Sequence, residues 1–453
     1  MRGLSAFLVA YLLVEGFTKI LAAAEFLPPP VAEELAAEVG ERVTVMPDKH
    51  QGLRAFPDEP IGIISRRPYR FTMVAGTTTF LMEGDALESA LPVKKVLEPT
   101  GKADDFDCDY AGIGSIYVVE KPKAILGFYH GERHRKQTVS YTGGNKWYGT
   151  IGLATSKDHG RTFIRQGAII TASTPFDPNS SLTSQGVGDP CVLLDPTGKF
   201  LYAYYTDHIR ANGRSVVTCM ARSRIEDQGR PGSWKKFFDG AFDSDGIGGR
   251  DTPVADLYGP SVTYVPALKK FIMVGNREGI QWCHSDDGIH WSKNQQLVLD
   301  GHAVPLPNQP VSMRPHLLLQ NGDAKSVKGL LLYSHSPRWG GDESQQMHYF
   351  VKRPVTFKTA GTPKEGGPDI RNRLAGTKWI NTNKVTFEWT ADGRFLHKGI
   401  QREWRAPQGR TVEVVFGPKH VDRLEFNEDF TEFKQLIGGG PNFFEGKPIA
   451  PSK

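Results

Sequence analysis

The chain has 453 residues and a formal charge of +5, with 23% charged and 10% aromatic residues. A chain of that length buries a large core, and this balance excludes both a disordered polymer and the basic footprint of a nucleic-acid binder. Abundant glycine (49) and proline (31), with few long stretches of helical period, predict many short strands.

From the N-terminus, Met1-Arg2, the apolar run Leu4 to Val14 and Leu21-Ala22-Ala23-Ala24 have the layout of a secretory signal cleaved after Ala24. Glu15 and Lys19 interrupt the apolar run, and an amphipathic N-terminal helix is the alternative. Residues 1–24 are expected to be a signal peptide and 25–59 an N-terminal extension, which makes the mature protein secreted or periplasmic. No other stretch approaches the roughly 20 apolar residues of a membrane span, so no membrane contact is expected after cleavage. Four cysteines (Cys108, Cys191, Cys219, Cys283) lie far apart without a CxxC pair, which argues against a zinc site. Disulfides and buried free thiols both remain open readings.

A unit of about 50 to 70 residues then recurs, a period that points to a propeller. The first clear unit runs from Asp105 to Ile170 and contains Gly114-Ser115-Ile116-Tyr117-Val118-Val119, Ala124-Ile125-Leu126-Gly127-Phe128-Tyr129-His130 and a closing Ile151 to Phe163 stretch. The second opens at Gly188-Asp189-Pro190, the third at Asp256-Leu257-Tyr258-Gly259-Pro260 and the fourth at Met313-Arg314-Pro315-His316. A fifth blade is expected to combine residues from about 60 to 97 with 345 to 357, so that strands from both ends close the ring and leave no free edges. In Ser156-Lys157-Asp158-His159-Gly160-Arg161-Thr162-Phe163 the aspartate can hold backbone amides, the glycine supplies positive φ and the aromatic anchors the hairpin. Such turns resemble the Asp-boxes of sialidases and are read as structural.

A polar linker (358–374) precedes segments that alternate as exposed antiparallel strands do, among them Val385-Thr386-Phe387-Glu388-Trp389 and Thr411 to Phe416. The fold class is therefore all-β: a five-bladed β-propeller over 60–357, then a small antiparallel β-barrel or sandwich over 375–437 and a tail over 438–453. Trp379, Trp389 and Trp404 are either core residues or platforms for sugar rings.

In a propeller the first strand of each blade lines the axis, so acids at the blade openings are candidates for one site. Asp107, Asp189 and Asp256 occupy such openings, and Arg314 and His316 open the fourth unit. Gly188-Asp189-Pro190 leading into Val192-Leu193-Leu194, with Tyr202-Ala203-Tyr204-Tyr205-Thr206 and the two serine hairpins, resembles the five-bladed glycoside hydrolase superfamily of arabinofuranosidases, β-xylosidases, invertases and anhydrogalactosidases. The resemblance implies a general-base aspartate, a general-acid carboxylate and a third aspartate that tunes the acid, with carbohydrate as the partner. By position Asp107 resembles the base and Asp189 the tuning residue. For the acid, Asp256 comes first, then Glu132 in Tyr129-His130-Gly131-Glu132-Arg133-His134, then a histidine such as His130, His302 or His316. That polar stretch is read as a loop over the site mouth. Arg314, His316 and His130 are substrate-binding candidates, Arg314 and His316 by contact with a carboxylate or hydroxyls of the sugar; an Arg–Asp pair bracing the axis is the structural alternative.

The expected activity is glycoside hydrolysis, inverting the anomeric centre, with no required cofactor. Some relatives hold an axial calcium, for which no loop spacing exists here, so the metal is unknown. A non-catalytic sugar-binding propeller, a sialidase-like hydrolase and a phosphorolytic enzyme are the alternatives.

Overall fold

The computed structural model describes residues 35–449 apart from 121–122, 140–144, 181, 183, 209–215, 303–308, 321, 339–346, 360–369, 391–393, 399, 409, 418–419 and 438–444. The expected signal peptide and most of the expected linker lie outside the described residues.

Strands β1 (Leu35–Val39) and β2 (Val43–Met46) come first. A unit of antiparallel strands follows: β3 (Gly62–Arg66), β4 (Tyr69–Ala75), β5 (Thr78–Gly84) and β6 (Leu91–Leu97). The second unit is β7 (Tyr110–Val119), β8 (Ala124–Val139), β9 (Asn145–Ser156) and β10 (Ile164–Ile170). The third is β11 (Ser184–Leu194), β12 (Phe200–Asp207), β13 (Val217–Arg224) and β14 (Lys235–Phe238), extended by β15 (Ala241–Asp245). The fourth is β16 (Tyr258–Val265), β17 (Lys270–Arg277), β18 (Gly279–Ser285) and β19 (Gln295–Val298). The fifth is β20 (Val311–Leu319), β21 (Ser326–Ser336) and β22 (Tyr349–Thr359), completed by β1 and β2, which both pair with β22.

Residues 62–97 thus form a unit of their own, where the sequence reading joined them to 345–357. The strand that completes the last unit comes instead from the stretch expected to be an extension. β22 would otherwise present a bare edge, and Leu35, buried against Val327, Val355 and Phe357, covers it.

Each junction between units has its own apolar core. Leu81, Ile113 and Phe163 join the first unit to the second, Phe128, Ile151 and Tyr205 the second to the third, and Tyr204, Leu257 and Phe271 the third to the fourth. Val274, Trp282 and Tyr333 join the fourth to the fifth, and Phe71, Met82 and Leu332 bring the fifth back to the first. Middle strands are consequently buried on both faces: β17 is buried at every position but its last, so it reads as an apolar run rather than an alternation. Small side chains tie each unit to the inner strand of the next. Thr79 Oγ1 accepts from Ile113 N (3.0 Å), Ser115 Oγ from Val192 N (2.9 Å), Cys191 Sγ from Val262 N (3.1 Å) and Ser261 Oγ from Leu317 N (3.1 Å). Arg66 closes the circle by donating to Leu319 O at 3.2 Å.

All four cysteines are free thiols. The serine turns are structural, as expected: Asp158 accepts from Thr162 N (2.9 Å), Gly160 has φ 84° and Phe163 is buried beneath the hairpin.

After the helix α1 (Ile370–Leu374), β23 (Thr377–Asn381), β24 (Thr386–Trp389), β25 (Phe395–His397), β26 (Ile400–Gln408), β27 (Thr411–Gly417), β28 (His420–Phe426), β29 (Phe433–Ile437) and β30 (Glu445–Pro448) close into a barrel. β30, placed in the expected tail, pairs with β23 and β29 and is the closing strand. Trp379 and Trp389 are fully buried and meet edge to face at 6.3 Å in the barrel core, and Trp404 packs on Trp389. The two buried rings are therefore core residues, not sugar platforms.

Asp300 holds the N-terminal closure together. Its carboxylate accepts from Arg42 (2.9 Å), Arg353 (3.0 Å), Tyr333 (2.7 Å) and Ser312 (2.8 Å). Burial raises its pKa, but the Tyr333 bond and the positive partners outweigh that and hold it below the usual carboxylate range. Asp300→Asn should cost about 2 kcal/mol, read as a fall of a few degrees in Tm. Because the folded pKa is depressed, the wild-type advantage should hold above the ordinary aspartate pKa and vanish as pH falls through the folded value.

Candidate active site

Three of the inner strands share one irregularity. In β11, β16 and β20 the ladder slips between Gly188 and Cys191, Tyr258 and Ser261, and Met313 and His316, each time with two residues opposite one on the partner strand. The slipped pairs are Asp189-Pro190, Gly259-Pro260 and Arg314-Pro315, and the first residue of each has positive φ (49°, 59° and 58°). Proline supplies no N–H to the ladder, so the pair leaves it without a lost bond. Glu59-Pro60 occupies the corresponding place ahead of β3. Arginine does not favour the left-handed region, and such strain is retained where surrounding structure holds it and function uses it.

These positions bring Glu59, Asp189 and Arg314 together around His130 of β8. His130 Nδ1 lies 3.2 Å from Glu59 Oε1 and 3.9 Å from Asp189 Oδ1, and its Nε2 is 3.8 Å from Glu132 Oε1. Arg314 donates through Nη1 to Asp189 Oδ1 and reaches Asp58 Oδ1 with Nη2 at 3.4 Å. Asp189 also accepts from Thr206 Oγ1 at 2.7 Å and faces His208 Nε2 at 3.8 Å. Glu132 Oε2 meets His134 Nε2 at 2.6 Å, the Tyr110 hydroxyl lies 3.4 Å from Glu59, and the Trp147 ring stands between His130 (5.3 Å) and His208 (4.8 Å). Room for the imidazole comes from glycine: a Cβ on Gly188 or Gly149 would stand 2.6 Å or 2.8 Å from the ring.

The charges divide sharply. Burial raises the pKa of Asp189, but Arg314, then His208 and His130, outweigh it and hold the carboxyl at about 2. Asp58 is raised to about 7 by burial, which outweighs the pull of Arg314 and is reinforced by Glu59 and Glu132. Its side chain is nonetheless 35% exposed, so Asp58 is open to solvent rather than sealed in packed core. Glu59, fully buried, is raised by burial, and its Oε2 has no hydrogen-bond partner among the described residues. Burial disfavours a charge on His130, but the Glu59 bond and charge, with Glu132 and Asp189, push it up to about 9. The centre is thus a lattice of alternating charge with one proton-bearing carboxyl, Asp58, open to solvent.

Of the expected site residues, Asp189, His130, Glu132 and Arg314 therefore meet. Asp107 does not join them: buried ahead of β7, it is bonded to Arg165 Nε (2.6 Å) and the Tyr129 hydroxyl (3.1 Å). Asp256 is also elsewhere, with 62% of its side chain exposed and paired to Arg277 at 2.8 Å. His316 lies two residues beyond the Arg314 bulge, and its charged neighbour is Arg66, which together with burial lowers its pKa to about 4. The stretch from Tyr129 to Lys136 is strand, not loop, so His130, Glu132 and His134 fall on one face of β8. Sequence reasoning missed Asp58, Glu59, Tyr110, Trp147 and His208; the Glu59-Pro60 pair, matching Asp189-Pro190 and Arg314-Pro315, was the available signal for the first two.

Glu59, His130 and Asp189 offer ligand atoms all within 4.8 Å of one another, as do Asp207, Cys219 and Asp251 in the third unit. In the first group the Arg314 guanidinium and the His130 imidazolium already supply the positive charge that an axial cation would bring.

No protein-family model matches the chain, and no curated protein matches it. Among solved structures it is similar to an endo-1,5-α-L-arabinanase from Thermotoga petrophila, at 13% identity over 88% of this chain and 99% of that one, TM-score 0.40. It is also similar to an α-L-arabinofuranosidase from Lactobacillus brevis (10% identity, 68% and 91% covered, TM-score 0.45). A third is an N-acetylgalactosamine deacetylase from F. plautii (11% identity, 71% and 95% covered, TM-score 0.41). The first two bear names of glycoside hydrolases, the class the sequence resembles. Similarity at this level leaves the function to be argued from the site's own residues.

The raised His130 has a direct readout. Its imidazole resonances should titrate near pH 9, with the ring charged at pH 7; a midpoint at or below its ordinary 6.5 would refute the charge lattice. Since the folded pKa is raised, the stability His130 contributes should be complete below its unfolded pKa and lost as pH rises through about 9.

Proposed function

We propose that the chain is a secreted glycoside hydrolase built on a five-bladed β-propeller, with Asp58 as general acid and Glu132 as general base. The observation that carries this reading is the division of protons: Asp58 at about 7 beside Asp189 at about 2, with one guanidinium touching both. Hydrolysis of a glycosidic bond needs one protonated and one ionised carboxyl. Asp58 keeps its proton near neutral pH because burial and neighbouring carboxylates disfavour its anion, and its exposure lets it reach substrate. Glu132 carries an imidazole partner in His134, whose own pKa is raised because the Glu132 bond and charge, with Asp109, outweigh its burial. Asp189 and Arg314 stay charged throughout and fix the Asp58 carboxyl.

In the reaction Asp58 gives its proton to the glycosidic oxygen as the bond from that oxygen to the anomeric carbon breaks. Glu132 takes a proton from the water that bonds to the same carbon from the opposite face, so the configuration inverts. The five junction cores and the single ring of inner strands support the five-bladed reading, and the N-terminal sequence supports export. Carbohydrate is the substrate class; the sugar is left to the screen.

The test is a panel of poly- and oligosaccharides incubated with wild type, Asp58→Asn and Glu132→Gln. Wild type should release sugar, and each folded variant should lose about 100-fold or more in kcat/KM. Wild-type kcat/KM should fall tenfold per pH unit above about 7, as Asp58 loses its proton. Full activity in Asp58→Asn, or a profile flat from pH 6 to 9, would sink the assignment.

A further inference from the structure

Most glycines around the axis are filled by a neighbouring side chain. A Cβ on Gly112 would stand 2.6 Å from the Tyr110 ring, one on Gly114 3.0 Å from Glu59 Oε2, and one on Gly188 2.6 Å from His130. Gly259 is the exception. It is buried, yet among the described residues a Cβ there would meet nothing within 4 Å except Asn276 Oδ1 at 3.8 Å. Its place in the fold makes this informative, because Gly259 is the fourth unit's counterpart of Asp189 and Arg314, the residues that deliver charge to the site from either side.

A simple packing explanation would be that Gly259 is glycine to let the Arg314–Asp189 ion pair pass in front of it. The distances exclude that: neither side chain comes within 4 Å of where its Cβ would be. Backbone conformation favours glycine at this φ but does not require it, since Asp189 and Arg314 hold the same left-handed φ at the equivalent points. What glycine leaves is space. One wall of that space is a fixed acceptor, because both hydrogens of the Asn276 amide are taken, by Gly279 O (3.2 Å) and Ser312 O (2.9 Å), which turns Oδ1 toward Gly259. Next to it Gly259 N donates to Thr206 Oγ1 (2.8 Å), the hydroxyl that in turn donates to Asp189.

We propose that the space over Gly259 is the subsite for the sugar ring whose glycosidic bond is cut, and that the missing side chain at 259 sets the size of ring and substituents accepted. The ring would lie over Gly259, beside the Asp189–Arg314 ion pair, with Asn276 Oδ1 accepting from one hydroxyl. This rests on the hydrolase reading above and adds the residue that determines specificity in it.

Gly259→Ala and Gly259→Asn test it. Both should fold, with Gly259→Ala lowered a few degrees in Tm by the left-handed φ of 59° and Gly259→Asn lowered less, since asparagine tolerates that region better. In Gly259→Ala, KM and the Kd for the released monosaccharide, measured by calorimetry, should rise about tenfold. Gly259→Asn should raise them further, while the pH limb near 7 stays in place. Folded variants that keep wild-type KM and sugar affinity would overturn the proposal. If wild type cleaves nothing, the hydrolase reading falls separately, and binding of free pentoses and hexoses still decides the subsite. Binding to wild type but not to Gly259→Asn would support it; equal binding to both, or binding to neither, would refute it.

Discussion

One buried cation organises the centre of this molecule. The Arg314 guanidinium holds Asp189 ionised at about 2 and touches Asp58, which remains at about 7. Asp58, Glu59 and Asp189 come from different parts of the chain to one place where desolvation works against the charged form of each. Arg314, then His208 and His130, keep Asp189 charged against that penalty. Removing the guanidinium would leave Asp189 buried without its main partner, a cost of several kcal/mol that packing could not recover.

The ring supplies the rigidity this requires. Its units are bound to one another through Thr79, Ser115, Cys191, Ser261 and Arg66, and through five separate apolar cores at their junctions. The bulges that carry Asp189 and Arg314 interrupt the ladders without loosening them, because proline follows each and the ladder resumes two residues on. The C-terminal barrel is tied to the ring at the same turn that follows Asn276: Arg423 of β28 reaches Glu278 at 2.7 Å.

The sequence by itself determined the repeat, the strand-rich class, the serine turns and the Asp189 and Arg314 openings, because these are written in local patterns: alternation, turn chemistry and X-Pro pairs. It also put His130 and Glu132 among the candidates, though as part of a loop. Only the tertiary structure decided which acids converge. Asp107 and Asp256 stand at unit openings like Asp189, but each lies outside the bulge and is taken by an arginine, Arg165 or Arg277. Asp58 and Glu59 lie just ahead of the apolar alternation that marks the first unit, in a stretch that reads as an extension because its own strand, β1, pairs about 320 residues away. A pairing at that separation leaves no periodic trace near either strand, and a carboxyl's proton depends on neighbours the chain places only when the ring closes.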